Sequence, residues 1–168
     1  MEARQFRPAA AGDRAAVWAL WSACAADERC LWNADYPTEA YLKQDLGNGW
    51  LHVLLEDGRL IGAVTLMPPG TVERQGFPFA EAEPIAELTR LCVQPPLWRR
   101  GVGGALLALT EAYTASGGAR AIHLLCDVRN APALALFARS GYREVCRASL
   151  YGDRFSVREK LLTNVRAL

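Results

Sequence analysis

The stretch Leu88–Leu107, which reads LTRLCVQPPLWRRGVGGALL, limits what this chain can fold into more than any other. It opens like a strand, with Leu88, Leu91 and Val93 apolar. Pro95 and Pro96 end that strand, because neither can donate to a sheet ladder. Arg99 and Arg100 follow, then Gly101, Gly103 and Gly104. A helix starts inside the glycines, with Leu106, Leu109 and Tyr113 on one face and Ala105, Ala108 and Ala112 beside it. A strand that turns through glycines into a helix N-terminus suits an anion. Glycines let the ligand reach the backbone, the unpaired N–H groups face it, and the helix dipole favours negative charge. Two arginines add fixed positive charge. The natural ligand is a pyrophosphate.

Three pyrophosphate loops compete. The P-loop needs Gly-Lys-Ser/Thr after its spacer, and this stretch has no lysine. The dinucleotide fingerprint needs glycine at its first, third and sixth positions. Counted from Gly101 the first two fit and the sixth is Leu106, while Asp127, at the end of a later strand, stands near the ribose-binding distance and keeps that reading open. The third is an acyl-CoA loop. Arg100-Gly101-Val102-Gly103-Gly104-Ala105 resembles the R-x-x-G-x-A signature of the GNAT superfamily of acyl-CoA-dependent N-acetyltransferases. A plain glycine-rich turn before a helix is the bland alternative.

Composition sets the frame. At 168 residues one domain is expected, spanning 1–168 and large enough for a real core. The net charge of +1 gives no argument for nucleic acid. No apolar run reaches membrane-spanning length and no charged-then-apolar leader is visible, so no membrane association is expected. The five cysteines, Cys24, Cys30, Cys92, Cys126 and Cys146, are odd in number and lack metal-ligand spacing, so no metal is expected and a reducing cytoplasm fits them. Basic residues are nearly all arginine and alanine is abundant, which points to a GC-rich bacterial genome.

Taken in order, Arg4–Pro8 can form a first strand. Asp13 can cap a helix carrying Val17, Leu20, Trp21 and Cys24, and Thr38 a second helix with Tyr41, Leu42 and Leu46 inward. Residues 50–56 and 59–67 read as strands joined by Asp57-Gly58, a pair suited to a type I′ turn. Residues 71–84 are irregular. Residues 121–128 are almost wholly apolar, as in a strand covered on both faces. Asn130 caps a helix that Gly141 ends, and a closing hairpin turns at Gly152-Asp153. The order β-α-α-β-β-β-α-β-α-β-β implies an α/β fold with a mixed, mostly antiparallel sheet flanked by helices. That order is similar to the GNAT fold along essentially the whole chain.

A second element supports the resemblance. Asn130 through Tyr142, NAPALALFARSGY, resembles the family's N-x-x-A-x-x-L-Y-x-x-x-G-F/Y segment, which lines the pantetheine arm. The resemblance implies acetyl-CoA as cosubstrate and a small-molecule or peptide amine as acceptor, and it allows a homodimer. It implies that the fourth strand splays from the fifth and that pantetheine adds there like a strand, along Leu91, Cys92 and Val93. The N–H of Cys92 or Val93 would then hold the thioester oxygen. It assigns the phosphates to Arg99, Arg100, Gly101, Val102, Gly103, Gly104 and Ala105, and the arm to Asn130 and Phe137. Glu87, expected to open the fourth strand, matches the position from which several members extend a catalytic glutamate, with Glu81 and Glu83 as substitutes; its bland alternative is an exposed strand-end glutamate or an ion pair with Arg90. The chain departs from the pattern at Phe137, where members often carry a tyrosine that protonates the departing thiolate. Tyr142 and Tyr151 are the available replacements.

His52 and His123 read as packed strand histidines, since no ligand cluster surrounds them. Trp18, Trp21, Trp32, Tyr36 and Tyr41 read as core; in the family their region walls the acceptor site, where Asp27, Glu28 and Asp35 could meet a cationic or aromatic amine. Cys92 as a nucleophile is disfavoured, because nothing adjacent would activate it. The expected activity is N-acetyl transfer by direct attack. The alternative is an acyl-CoA-binding sensor of the same fold without catalysis, for which Phe137 is the support.

Overall fold

The computed structural model describes residues 3–70, 72, 75–80 and 83–163. Among these, seven strands are hydrogen-bonded in the order β1-β2-β3-β4-β5-β7-β6, with helices in the β-α-α-β-β-β-α-β-α-β-β sequence. The described residues fall into two compact units, one within Met1–Leu66 and Arg90–Leu107, the other within Met67–Thr89 and Ala108–Leu168.

The first unit holds β1 (Arg4–Pro8), α1 (Arg14–Ala26), α2 (Glu39–Gly47), β2 (Leu51–Glu56) and β3 (Arg59–Met67). It also takes the end of β4 (Ile85–Val93) and the first turns of α3 (Val102–Ser116). β1 pairs antiparallel with β2 from Arg4↔Glu56 to Pro8↔His52. β2 and β3 form the expected hairpin, and Asp57 and Gly58 both take positive φ, 48° and 77°. Along α1 the residues at helical spacing, Val17, Leu20, Trp21 and Cys24, are the buried ones. They pack with Leu42, Leu51, Val53, Ala63 and Cys92 into one cluster. Each fully buried Leu or Val there contributes about 1.5–3 kcal/mol against exposure. Gly62 on β3 is a packing glycine: a Cβ would lie 3.1 Å from the Cys92 carbonyl and 3.1 Å from Leu106.

Two caps differ from expectation. Asp13 precedes α1 but takes no helical N–H; its carboxylate turns back to the Ala10 N–H and to Arg7, 2.7 Å away in each case. A short 3-10 turn over Ala11–Asp13 makes that reversal. Thr38 holds the N-cap position of α2 without a side-chain cap bond. On α2 the inner stripe is Leu42 and Asp45, while Tyr41 is 38% exposed.

The second unit holds the start of β4, the rest of α3, β5 (Ala121–Asp127), α4 (Ala131–Arg139), β6 (Arg143–Leu150) and β7 (Asp153–Leu161). β4 and β5 are parallel, and their ladder runs only from Ile85↔Ala121 to Leu88↔Leu124. β5 pairs antiparallel with β7 over its full length, from Ala121↔Leu161 to Asp127↔Phe155. The closing hairpin turns at Tyr151-Gly152, with φ of 54° and 82°, because Asp153 is already paired with Leu150. On α3 the buried positions are Val102, Leu106, Leu107, Thr110 and Thr114, whereas Leu109 and Tyr113 are 37% and 43% exposed. The helix is apolar almost all round, so its sequence carries little phase information.

Candidate active site

The glycine loop has the local geometry of an anion cradle. β4 ends at Val93 and a 3-10 turn over Pro95–Leu97 leads into the arginines. Arg99 and Gly101 take positive φ, 62° and 80°. At the start of α3 the Ala105 N–H bonds to the Gly101 carbonyl, at 3.1 Å. The N–H groups of Val102, Gly103 and Gly104 therefore belong to the first turn, which has no carbonyl to reach within the helix. Arg99 and Arg100 are exposed beside them.

The end of β4 is fixed by its carbonyls and by one residue. Val93 O accepts the Trp98 indole N–H at 2.7 Å and the Cys24 thiol at 3.4 Å. Gly62 lets β3 come close to Cys92 O. Burial pushes the Cys92 thiol well above its ordinary pKa, which makes it a poor nucleophile. Arg90, in mid-strand, has φ of 47°, a left-handed conformation costing a non-glycine residue roughly 1–2 kcal/mol. The β5 ladder has already ended two residues earlier, at Leu88. A left-handed residue inside a strand breaks the regular pleat and re-aims the residues that follow.

Arg90 does not pair with Glu87. It forms a two-pronged bridge to Asp45 of α2, with both N···O distances 2.7 Å, and donates to the Tyr36 hydroxyl at 3.1 Å. Thr65 adds a hydroxyl bond to Asp45 at 2.7 Å. The guanidinium lies 4.9 Å from the centre of the Tyr41 ring. Trp21, Trp32, Tyr36 and Tyr41 form a chain of edge-on contacts. Asp27 is bonded to Arg29, which holds its carboxyl down at about 2.

Glu87 is the third residue of β4 and is buried, at 5% exposure, rather than standing at an open strand start. It accepts the Gly70 N–H at 2.8 Å. Of its substitutes, Glu83 is exposed and Glu81 lies outside the described residues. Glu87 is register partner of His123, His123 of Glu159, and Glu159 of Arg143. Register partners point to one face, so these four side chains make a polar row across β4, β5, β7 and β6. Glu159 is fully buried and accepts the Ala80 N–H at 2.9 and 3.1 Å. It pairs with Arg143 at 2.8 Å and lies 2.9 Å from Nε2 of His123. An ionised carboxylate only accepts, so that nitrogen carries the proton. Phe79 stacks on the His123 ring at 3.6 Å.

On α4, Asn130 is the cap foreseen, its side-chain oxygen accepting the Ala133 N–H at 3.2 Å. Phe137 is buried against Tyr142, with ring centres 5.5 Å apart. Burial pushes the Tyr142 hydroxyl far above its ordinary range, and Tyr151 is 73% exposed at a hairpin tip. Asp127 is occupied by Arg129, which holds it below the usual carboxylate range. Among the described residues, no cluster of His, Cys, Asp and Glu could hold a metal ion, and no helix is long and apolar enough to cross a membrane.

Sequence reasoning missed Asp45 and Glu159. Both carry a signal: Asp45 sits three residues after Leu42 on the buried helix stripe, and Glu159 lies two residues after buried Val157 on a strand. A charge on a buried face requires a partner.

The model of the acetyltransferase (GNAT) family matches residues 15–142. The chain belongs to the GNAT acetyltransferase family. An uncharacterized N-acetyltransferase, YhfO, of Bacillus subtilis is 32% identical over 108 residues, which are 63% of this chain and 68% of that one. A mycothiol acetyltransferase of Kineococcus radiotolerans is 39% identical over 114 residues, 65% of this chain; the chain spans only 33% of its length. Among solved structures, a GNAT acetyltransferase of Streptococcus agalactiae superposes with a TM-score of 0.80 at 16% identity, covering 95% of this chain and 96% of that one. The putative acetyltransferase yncA of Salmonella typhimurium, solved with its cofactor acetyl-CoA, gives 0.70 at 16% identity, covering 98% and 97%. Membership removes the dinucleotide reading of the glycine loop.

Proposed function

We propose that this protein is a cytoplasmic N-acetyltransferase that moves an acetyl group from acetyl-CoA to a primary amine of a small-molecule or peptide acceptor by direct attack. In this reading residues 1–168 act as one catalytic domain, alone or as a homodimer. The observation that carries it is the glycine loop. Positive φ at Arg99 and Gly101, exposed arginines and the N-terminal turn of α3 together suit a pyrophosphate. The yncA structure, solved with acetyl-CoA, supports that choice of ligand. The free cysteines agree with a reducing compartment.

The roles follow residue by residue. Arg99, Arg100 and Gly101 through Ala105 hold the phosphates. Leu91, Cys92 and Val93 offer backbone groups to the pantetheine, and an N–H of Cys92 or Val93 polarises the thioester carbonyl. Asn130 and Phe137 line the arm. Glu87 takes a proton from the acceptor ammonium. The amine nitrogen then bonds to the acetyl carbon as the carbon–sulfur bond breaks, and the second proton that the nitrogen sheds passes through water to the departing thiolate. No tyrosine is needed for that last step, since a thiolate leaves readily near neutral pH. A non-catalytic acyl-CoA sensor is the second reading, favoured by Phe137 alone.

Two results test the cofactor assignment. Arg100→Ala should weaken acetyl-CoA binding by the loss of a charge-assisted contact, about 1.5–3 kcal/mol. Gly103→Asp should weaken it further, by adding bulk and negative charge where phosphate must approach. Calorimetry on both folded variants reads the affinity, and no change in either would remove the loop from the cofactor site. Asn130→Asp separates cap from ligand contact. Aspartate caps as well as asparagine, so melting temperature should hold while acetyl-CoA affinity shifts with loss of the amide donor. Unchanged affinity would leave Asn130 a cap only.

A further inference from the structure

Four described non-glycine residues have positive φ: Asp57, Arg90, Arg99 and Tyr151. Three of them lie in turns; Arg90 alone lies inside a strand. An arginine holds such a conformation only when its surroundings over-determine it, and here they do. The fork spans both oxygens of Asp45 at 2.7 Å, a third donor reaches Tyr36, and the Tyr41 ring covers one face. Asp45 is itself locked, taking the Thr65 hydroxyl and exposing none of its surface. The side chain of Arg90 is 7% exposed, so the pair is shielded from water and salt. Nothing in the transfer chemistry uses this charge. Yet it stands directly before Leu91, Cys92 and Val93.

We infer that Asp45 and Arg90 are positioning residues of the acetyl-transfer site: the buried fork holds the left-handed turn of β4 and thereby aims the backbone N–H groups of Leu91–Val93. This rests on the reading that the N–H of Cys92 or Val93 polarises the thioester. The same fork ties β4 to α2 and to Tyr36 and Tyr41, so the strand end and the aromatic segment share one anchor. Glycine would adopt the backbone angle without strain but could not hold it there. Lysine would keep the charge but not the planar fork. The requirement is therefore for the guanidinium–carboxylate geometry, which neither substitution supplies.

The test reads the carbonyl directly. Bind acetyl-CoA labelled with carbon-13 at the acetyl carbonyl to wild type, Arg90→Lys, Arg90→Gly and Asp45→Asn, and record the carbonyl resonance and the affinity. Measure kcat with the fastest acceptor from a panel of polyamines, aminoglycosides and amino acid amides. Wild type should show a bound shift toward greater polarisation. The variants should lose at least half of that shift and about ten- to a hundredfold in kcat, with acetyl-CoA affinity changed by less than about threefold. Should these variants fail to fold, Thr65→Val and Tyr36→Phe each remove one hydrogen bond from the same cluster and should show smaller losses of the same two readings. Folded variants with lowered melting temperature but wild-type carbonyl shift and kcat would overturn the positioning role and leave the thioester reading intact. A wild-type protein whose carbonyl does not shift on binding would instead overturn that reading itself.

Discussion

Glu87→Gln is expected to lower kcat by about 10²–10⁴-fold with acetyl-CoA affinity nearly unchanged. Glutamine keeps the size of the side chain and can still accept the Gly70 N–H, which Glu87 takes at 2.8 Å. It cannot take a proton from an ammonium group. The wild-type rate should show a single acidic limb, the mark of one general base. No fall from an active-site phenol should appear below the amine's own pKa, because Phe137 has no proton to give and Tyr142 is buried with its hydroxyl pushed far up. Phe137→Tyr should accordingly gain little. The competing role is local: Glu87 would merely hold Gly70 against β4. A clamp of that kind survives in glutamine, so it predicts wild-type turnover and an unmoved acidic limb for Glu87→Gln. The rate against pH for the three proteins decides between them.

Glu159→Gln should give the largest loss of stability, about 3–5 kcal/mol, because it weakens the charge-assisted hydrogen bonds of three donors to one buried carboxylate at once. In a chain of this size that corresponds to a fall in Tm of roughly 6–20 °C. The carboxylate takes bonds from Ala80, Arg143 and His123 while fully buried. Glutamine offers one acceptor oxygen in place of two and turns an N–H₂ toward donors. Arg143→Ala should cost less, about 1–3 kcal/mol, since it removes one charge-assisted bond from the buried carboxylate while the Ala80 and His123 contacts stay in place. Thermal unfolding of both variants at one pH makes the comparison. Equal, small losses would mean that the row is a surface network and not a core one.

The fold was legible where spacing or a turn pair left one solution. Val17, Leu20, Trp21 and Cys24 fix one face of α1, and Asp57-Gly58 allows one hairpin. The Asn130 cap was legible because its partner is three residues away. What stayed hidden depends on contacts distant in sequence. Arg90 finds Asp45 across 45 residues and Glu159 finds Ala80 across 79, and no local pattern announces either. Asp13 looked like a cap until the 3-10 turn before it brought Arg7 and Ala10 within reach of its carboxylate. The inner face of α3 was unreadable for another reason: alanine and leucine surround it, so only packing picks Thr110 and Thr114 over Leu109 and Tyr113. The glycine loop was the clearest part of the candidate site, since its chemistry is backbone chemistry and follows from residue type.

The central claim is that this chain transfers acetyl groups to amines, and the most direct measurement is free-thiol release from acetyl-CoA across a panel of primary amines, with mass spectrometry of the acceptor. Release should depend on one class of amine, saturate with acetyl-CoA, and yield the N-acetylated product. Tight acetyl-CoA binding with no amine-dependent thiol release for any class would contradict it and make the protein an acyl-CoA sensor.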